Sequence, residues 1–326
     1  MATKLQKILY PVLPQAMATL DRLRPKQWLD WPAPFGGMPP KEVAETFPHY
    51  KAMSLAHRLR SGWLQAAAFD VTPATLDTYA AEHVKCDRDV LHRWARSGRG
   101  AIFAGPHYGP FLGGALLCAS LGTKTNPTHV FYDPAEAVPD NGRFDVFFRS
   151  FEGRLNILHN QPNDLIKAGR ALRKKQCISI MYDVVQRPAD CIYVPFFGRQ
   201  YPVMGGTACL SLLSKAPIIP AYTVPDTGHN VRVVFGEPIL PENYSDLDRD
   251  QMIFAMTCAL FRDLERQLLE APWHWIYWGH VSNTTRFSPD MVCSEEALAE
   301  ELRRRVNATP ALRKLSPVLE SLVQTR

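Results

Sequence analysis

The stretch Gly100 to Gly114, GAIFAGPHYGPFLGG, constrains the fold more than any other part of the chain. It opens on a short apolar run, Ala101 to Ala104, too short for a free-standing helix. Gly105 and Pro106 break that run, and His107 follows at the break. Phe111 to Leu121 then supplies a small-residue and apolar segment long enough for a buried helix. Strand, tight turn, polar residue and helix is the order in which an α/β protein presents a reactive side chain at the carboxyl end of a strand. An imidazole in such a turn can take a proton near neutral pH. The glycines on both sides let a substrate approach the backbone closely. These features make His107 a candidate general base rather than a plain turn histidine.

The segments that follow alternate between strand and helix signals. The pattern predicts strands near 101–104, 129–132, 155–159, 177–182, 191–195, 218–223 and 230–235, and helices near 111–121, 163–175 and 205–215. Such alternation argues for an α/β sheet with helices on both faces. Met252, Ile253, Met256, Leu260, Leu264 and Leu268 fall on one face of an amphipathic helix over 250–269. Upstream, Thr72 or Thr75 is placed to cap a helix carrying Leu76, Tyr79 and Val84, and Asp87 to cap the next, with Val90, Leu91 and Trp94. Leu5, Ile8, Leu9, Val12, Leu13, Met17 and Leu20 keep helical spacing over 1–24, interrupted by Pro11 and Pro14. Residues 25–41 read as an irregular, proline-rich connection. A last helix is predicted over 294–306, capped at Ser294. The expected organisation is a helical region over 1–96, an α/β core over 97–285 and a helical tail over 286–326.

Composition narrows the function without choosing it. The 326 residues are 46% hydrophobic and 21% charged, an ordinary globular balance, with a formal net charge of +5. That charge suits an anionic partner: a membrane surface, a phosphopantetheine carrier, coenzyme A or a nucleic acid. The seven cysteines are scattered, with no CxxC pair, which argues for a reducing compartment and against both a disulfide framework and a metal site. No apolar run approaches the ~20 residues of a membrane span, and no signal-peptide pattern opens the chain. A G-x-S-x-G elbow, a P-loop and a GxGxxG at a strand end are all missing, which sets aside hydrolase, NTPase and dehydrogenase readings.

Further motifs follow His107 in order: MYD at 181–183, VPFFGR at 194–199, GGTACLSLLSKAPIIP at 205–220 and APWHWIYW at 271–278. Together with GAIFAGPHYG, they resemble the lipid A biosynthesis (lauroyl) acyltransferases of the lysophospholipid acyltransferase superfamily, over residues 80 to 285. The resemblance implies a glycerolipid acyltransferase-like fold, with a mixed, mostly parallel sheet flanked by helices. It also implies acyl transfer from a thioester, on coenzyme A or an acyl carrier protein, with no cofactor. The family's acceptor is a lipid hydroxyl, and its members usually carry an N-terminal membrane helix. Without a span, this chain is expected in the cytoplasm, with peripheral contact at the inner membrane.

One position departs from the family. Its histidine is paired with an acid five residues on, and here that residue is Leu112. Asp183 ends the apolar run Cys177 to Tyr182, where the resembled family commonly has an aspartate. It is the substitute expected to orient His107, against the rival reading of a turn aspartate bonding its own backbone. Asp133 is the weaker alternative. Arg199 follows VPFFG, a loop that borders the family's active site, and could grip a phosphate bidentately; a surface salt bridge is the competing role. Arg154 and Arg187 are lesser candidates. Backbone N–H groups at Gly109, or around Gly205 and Gly206, are candidate oxyanion donors, although close helix–sheet packing explains the glycine pair equally well. The aromatic cluster Trp273, Trp275, Tyr277 and Trp278 could wall an acyl or aromatic pocket, but reads first as core.

The resulting expectation is an acyltransferase acting on a small-molecule or lipid acceptor. An unsupported imidazole would favour an amine, which needs less activation than an alcohol. Two other readings stay open: a degenerate acyltransferase fold that binds an acyl chain or carrier protein, and a transferase using an aminoacyl-tRNA donor. DNA is not an expected partner.

Overall fold

The computed structural model describes residues 50–96, 98–132, 142–159, 161–184 and 191–282. Three helices lead in: α1 (Tyr50–Phe69), α2 (Leu76–His83) and, after the short strand β1 (Val84–Cys86), α3 (Arg88–Arg96). The core then runs β2 (Ala101–Gly105), α4 (Leu112–Leu121), β3 (Thr128–Phe131), α5 (Gly142–Ser150), β4 (Leu155–Leu158), α6 (Pro162–Arg173) and β5 (Cys177–Met181). A hairpin of β6 (Ile192–Phe196) and β7 (Arg199–Val203) precedes α7 (Gly206–Ser214), β8 (Ile218–Pro225) and β9 (Val231–Phe235). The long helix α8 (Arg249–Glu270) and the short α9 (Trp278–Ser282) follow. Asp248 and Gln251 form a reciprocal capping box that starts α8. Asp87 Oδ1 accepts from the Asp89 and Val90 amides, so it caps α3 as its position suggested. The expected helices at 1–24 and 294–306, and the connection at 25–41, lie outside the described residues.

The main sheet has seven strands in the order β1-β9-β8-β2-β5-β3-β4. Every pairing is parallel except β8 with β9. The fold is therefore α/β with a mixed, mostly parallel sheet, as the alternation and the resemblance imply. Several elements depart from the expected pattern, the unexpected strand β7 among them. The predicted strand at 191–195 is not in the main sheet; it pairs antiparallel with β7 as a separate ribbon. The three-residue β1 is too short to stand out in the sequence, and α5 is not among the expected helices although Phe144, Phe147 and Phe148 keep helical spacing. Val84 belongs to β1 rather than to the preceding helix.

The chain passes outward from β2 to β3 through α4, and returns from β4 to β5 through α6 on the opposite face. Right-handed crossovers demand that change of face. One face buries a continuous core in which Phe196, Tyr201, Tyr222, Phe261 and Trp275 meet Ile102, Ala104 and Ile178 of the sheet. The other face, under α4, holds two separate apolar clusters, one around Phe103, Leu117 and Val233 and one around Leu112, Leu116, Val130 and Phe148. No helix among the described residues is long and apolar enough to cross a membrane.

Candidate active site

The register of two neighbouring strands builds the site. β2 and β5 are parallel, with Gly105 opposite Met181. His107 and Asp183 each lie two residues beyond that pair, so they leave the same edge of the sheet side by side, about 4.8 Å apart in strand spacing. Asp183 Oδ1 is 2.8 Å from His107 Nδ1, and Oδ2 accepts the His107 backbone N–H at 2.7 Å. Oδ2 also accepts the Trp275 indole N–H at 2.8 Å. Asp183 is only 1% exposed. A buried carboxyl group is costly unless its lone pairs are used, and here three N–H donors converge on it. With Oδ1 accepting from Nδ1–H, the lone pair of His107 is on Nε2.

The turn that carries His107 is held from below. Gly109 has φ +59°, and a β-carbon there would lie 2.2 Å from the Thr223 carbonyl oxygen, so only glycine lets the turn rest on β8. The segment after α8 fastens the same turn. Tyr108 forms an isolated antiparallel bridge with Trp275, and the Tyr108 hydroxyl donates to the Ala271 carbonyl at 3.2 Å. The Gly109 N–H donates to the His274 carbonyl at 2.9 Å. That amide is thereby engaged within the fold, so the oxyanion role expected of it has no free donor in this arrangement.

The imidazole lies between two aromatic edges, Tyr277 at 5.0 Å and Phe111 at 5.3 Å between ring centres. His107, Phe111 and Tyr277 line a cavity of about 580 Å³ that continues between the sheet and α4. Its walls are mostly apolar. Small residues contribute to its lining: Ser179 and Ala221 on the strands, Ala115 and Cys118 on the helix. Burial raises the Tyr277 phenol well above its usual range, so it keeps its proton.

The other expected residues fall elsewhere. Arg199 opens β7 beside the hairpin turn, is buried, and is not among the residues lining the cavity; burial lowers its pKa. Gly205 packs so close to α8 that a β-carbon would meet Ile253 at 2.9 Å, which favours the packing explanation for it. Neither Gly205 nor Gly206 lines the cavity. Arg154 makes a two-pronged ion pair with Asp77, at 2.7 and 2.9 Å. Asp133 and Arg187 lie outside the described residues. Leu112, at the position where the resemblance leads one to expect an acid, is fully buried in the apolar cluster under α4. Tyr277 lines the cavity, the lesser of the two readings of the aromatic cluster, while the bond from Trp275 to Asp183 was hidden by its reading as core. The signal available was their order, two aromatics around an isoleucine in a tight segment just past a long helix.

The sequence profile of the bacterial lipid A biosynthesis acyltransferases matches residues 63–278. The chain belongs to that family. No curated protein matches it. The family match covers α2 through the start of α9 and spans every residue of the constellation around His107, so this acyltransferase carries its histidine–carboxyl pair within the matched region. The carboxyl group in contact with His107 comes from the residue two places past the end of β5.

Proposed function

We propose that the protein moves an acyl group from a thioester, on coenzyme A or an acyl carrier protein, to a hydroxyl group of a lipid or small-molecule acceptor, with His107 as general base. The contact between His107 and the buried Asp183 carries this reading. It supplies what Leu112 cannot: a fixed tautomer and a fixed ring plane. An imidazole held this way is suited to the harder, hydroxyl case as well as to an amine.

The chemistry balances without a covalent enzyme intermediate. His107 Nε2 takes the acceptor's proton as its oxygen attacks the thioester carbonyl. The tetrahedral intermediate collapses with loss of the thiolate, which recovers that proton from Nε2. Asp183 holds the imidazolium formed between the two steps. The acyl chain enters the cavity under α4, where apolar walls receive it. Phe111 to Leu121 borders that cavity over about 15 Å at 1.5 Å per residue. An extended hydrocarbon advances about 1.25 Å per carbon with bonds near 1.5 Å, so the reading favours straight chains of roughly eight to twelve carbons. A lipid acceptor would be met at the membrane surface rather than within a span.

The test is thiol release from medium-chain acyl-coenzyme A and from acyl carrier protein, in the presence of candidate hydroxyl and amine acceptors. His107→Ala should lower turnover at least about a hundredfold while leaving acyl-chain binding intact. Unchanged turnover in that variant overturns the general-base role. Tight acyl binding with no turnover on any acceptor supports a binding protein instead.

A further inference from the structure

A second cavity, of about 660 Å³, runs along the open edge of the sheet beside β4, between α5 and α6. Its lining is polar where the cavity under α4 is apolar. Arg149, Lys167, Arg170 and Lys174 face it, against one carboxylate, Glu152. Arg149 also bonds Asp145, and Lys167 bonds Asp164. Among the described residues no carboxylate is within ion-pair distance of Arg170 or Lys174.

The wall contains a buried group that lacks a partner. His129 is 8% exposed. Its Nε2 is 2.9 Å from Gln176 Oε1, while its Nδ1 is buried with no hydrogen bond. Burial lowers the His129 pKa, which keeps the ring neutral. With Gln176 Oε1 accepting, Nε2 carries the proton and Nδ1 is left as an unused acceptor. Buried acceptors are rarely left so in folded proteins. A ligand that fits offers anionic oxygens to the cations.

We propose that this edge cleft binds a phosphate-bearing ligand of nucleotide size. Arginine and lysine recognise phosphate oxygens by charge-assisted hydrogen bonds. Asn156 and Gln176 in the lining offer polar atoms to a nucleotide's sugar or base. Phe148 and Leu158 supply an apolar wall for a base. The volume exceeds what a single phosphate ion fills and lies within the usual range for small-ligand sites, about 300–1,000 Å³. The nucleotide end of coenzyme A and a free nucleotide share this chemistry. Phe148 also lines the cavity under α4, so the two cavities share a wall. The proposal stands apart from the acyl-transfer reading, because it rests on other residues.

Calorimetric titration of the full chain tests it, with adenosine 3′,5′-bisphosphate, AMP, inorganic phosphate and adenosine as separate titrants. The bisphosphate or AMP should bind, and adenosine should bind at least tenfold more weakly. Preference for the bisphosphate identifies the coenzyme A nucleotide as the source; preference for AMP identifies a free nucleotide. The double variant Arg170→Gln/Lys174→Gln should lose at least tenfold in affinity, and its two exposed positions leave the fold intact, checked by an unchanged melting curve. No heat from any phosphate probe at millimolar concentration overturns the site. So does unchanged nucleotide binding by the double variant, adenosine binding as tightly as the nucleotides, or inorganic phosphate matching them.

Discussion

The two faces of the sheet are built to opposite ends. One is filled: Phe196, Tyr201, Phe261 and Trp275 pack in edge-to-face and tilted contacts at 5.2–6.2 Å between ring centres. The other is left open under α4, where the core falls into two clusters and leaves room for a chain. His107 stands where they meet. Its turn, its carboxyl partner and the indole that fixes that carboxyl belong to the filled side, and its ring faces the open one. The difference teaches a division of labour. A polar constellation must be held to within about half an ångström to work, which close packing achieves. A hydrocarbon needs only apolar room, to which small side chains contribute.

The comparison makes stability and activity separable, and the largest effect should come from the filled face. Phe261 is fully buried. Phe261→Ala should cost about 3–5 kcal/mol of stability, read as a fall in the denaturant midpoint. A loss under 1 kcal/mol would mean that the aromatic face is not close-packed.

The support for the His107 turn should weaken in acid. His57 stacks on Trp273 and meets His274 edge-on, beneath the turn. Burial, aided by Arg60, lowers the His57 pKa from 6.5 to about 4, and burial lowers His274 as well. The folded state then binds fewer protons than the unfolded chain between those values. Stability is complete above pH 6.5 and falls as the pH drops toward 4, by up to about 3 kcal/mol from His57. Denaturant melts across that window check it, and His57→Gln should flatten the profile.

At the junction of the faces, Asp183→Asn should fold normally and lose turnover at least about a hundredfold, because the amide no longer fixes the imidazole tautomer. Trp275→Phe removes only the indole donor and should cost about tenfold, mainly in kcat. Loss confined to KM would place both residues in binding rather than in orientation of His107.

The smallest effect belongs to the open face. Ala115→Leu fills part of the cavity from α4, where leucine is a good helix former. Stability should hold or rise slightly, while the longest accepted acyl chain shortens, with about a tenfold loss on that substrate alone. An equal loss on all chain lengths would show that the cavity is not where the chain lies.

Much of the site was legible along the chain because it is local. The run from Ala101 to Leu121 carries its own strand, turn and helix signals, and His107 stands at the break. Asp183 was legible as the end of an apolar run. The aromatic segment was not, since a tryptophan that donates to a buried carboxyl has the same local pattern as one that only fills space. The glycines misled for a related reason: Gly109 looked like a free donor, and its amide is taken by a carbonyl more than 160 residues away in sequence.

The sequence by itself determined the kinds of element, the family and the histidine. Backbone propensity, apolar periodicity and motif order are properties of neighbouring residues, and those are written in the chain. Tertiary structure alone decided that β5 lies next to β2, with Gly105 opposite Met181. From that adjacency follow the contact of His107 with Asp183, the burial of Leu112, and the cavity between strand and helix. Strand order depends on which faces bury each other across the whole domain, and no local window of sequence contains that comparison.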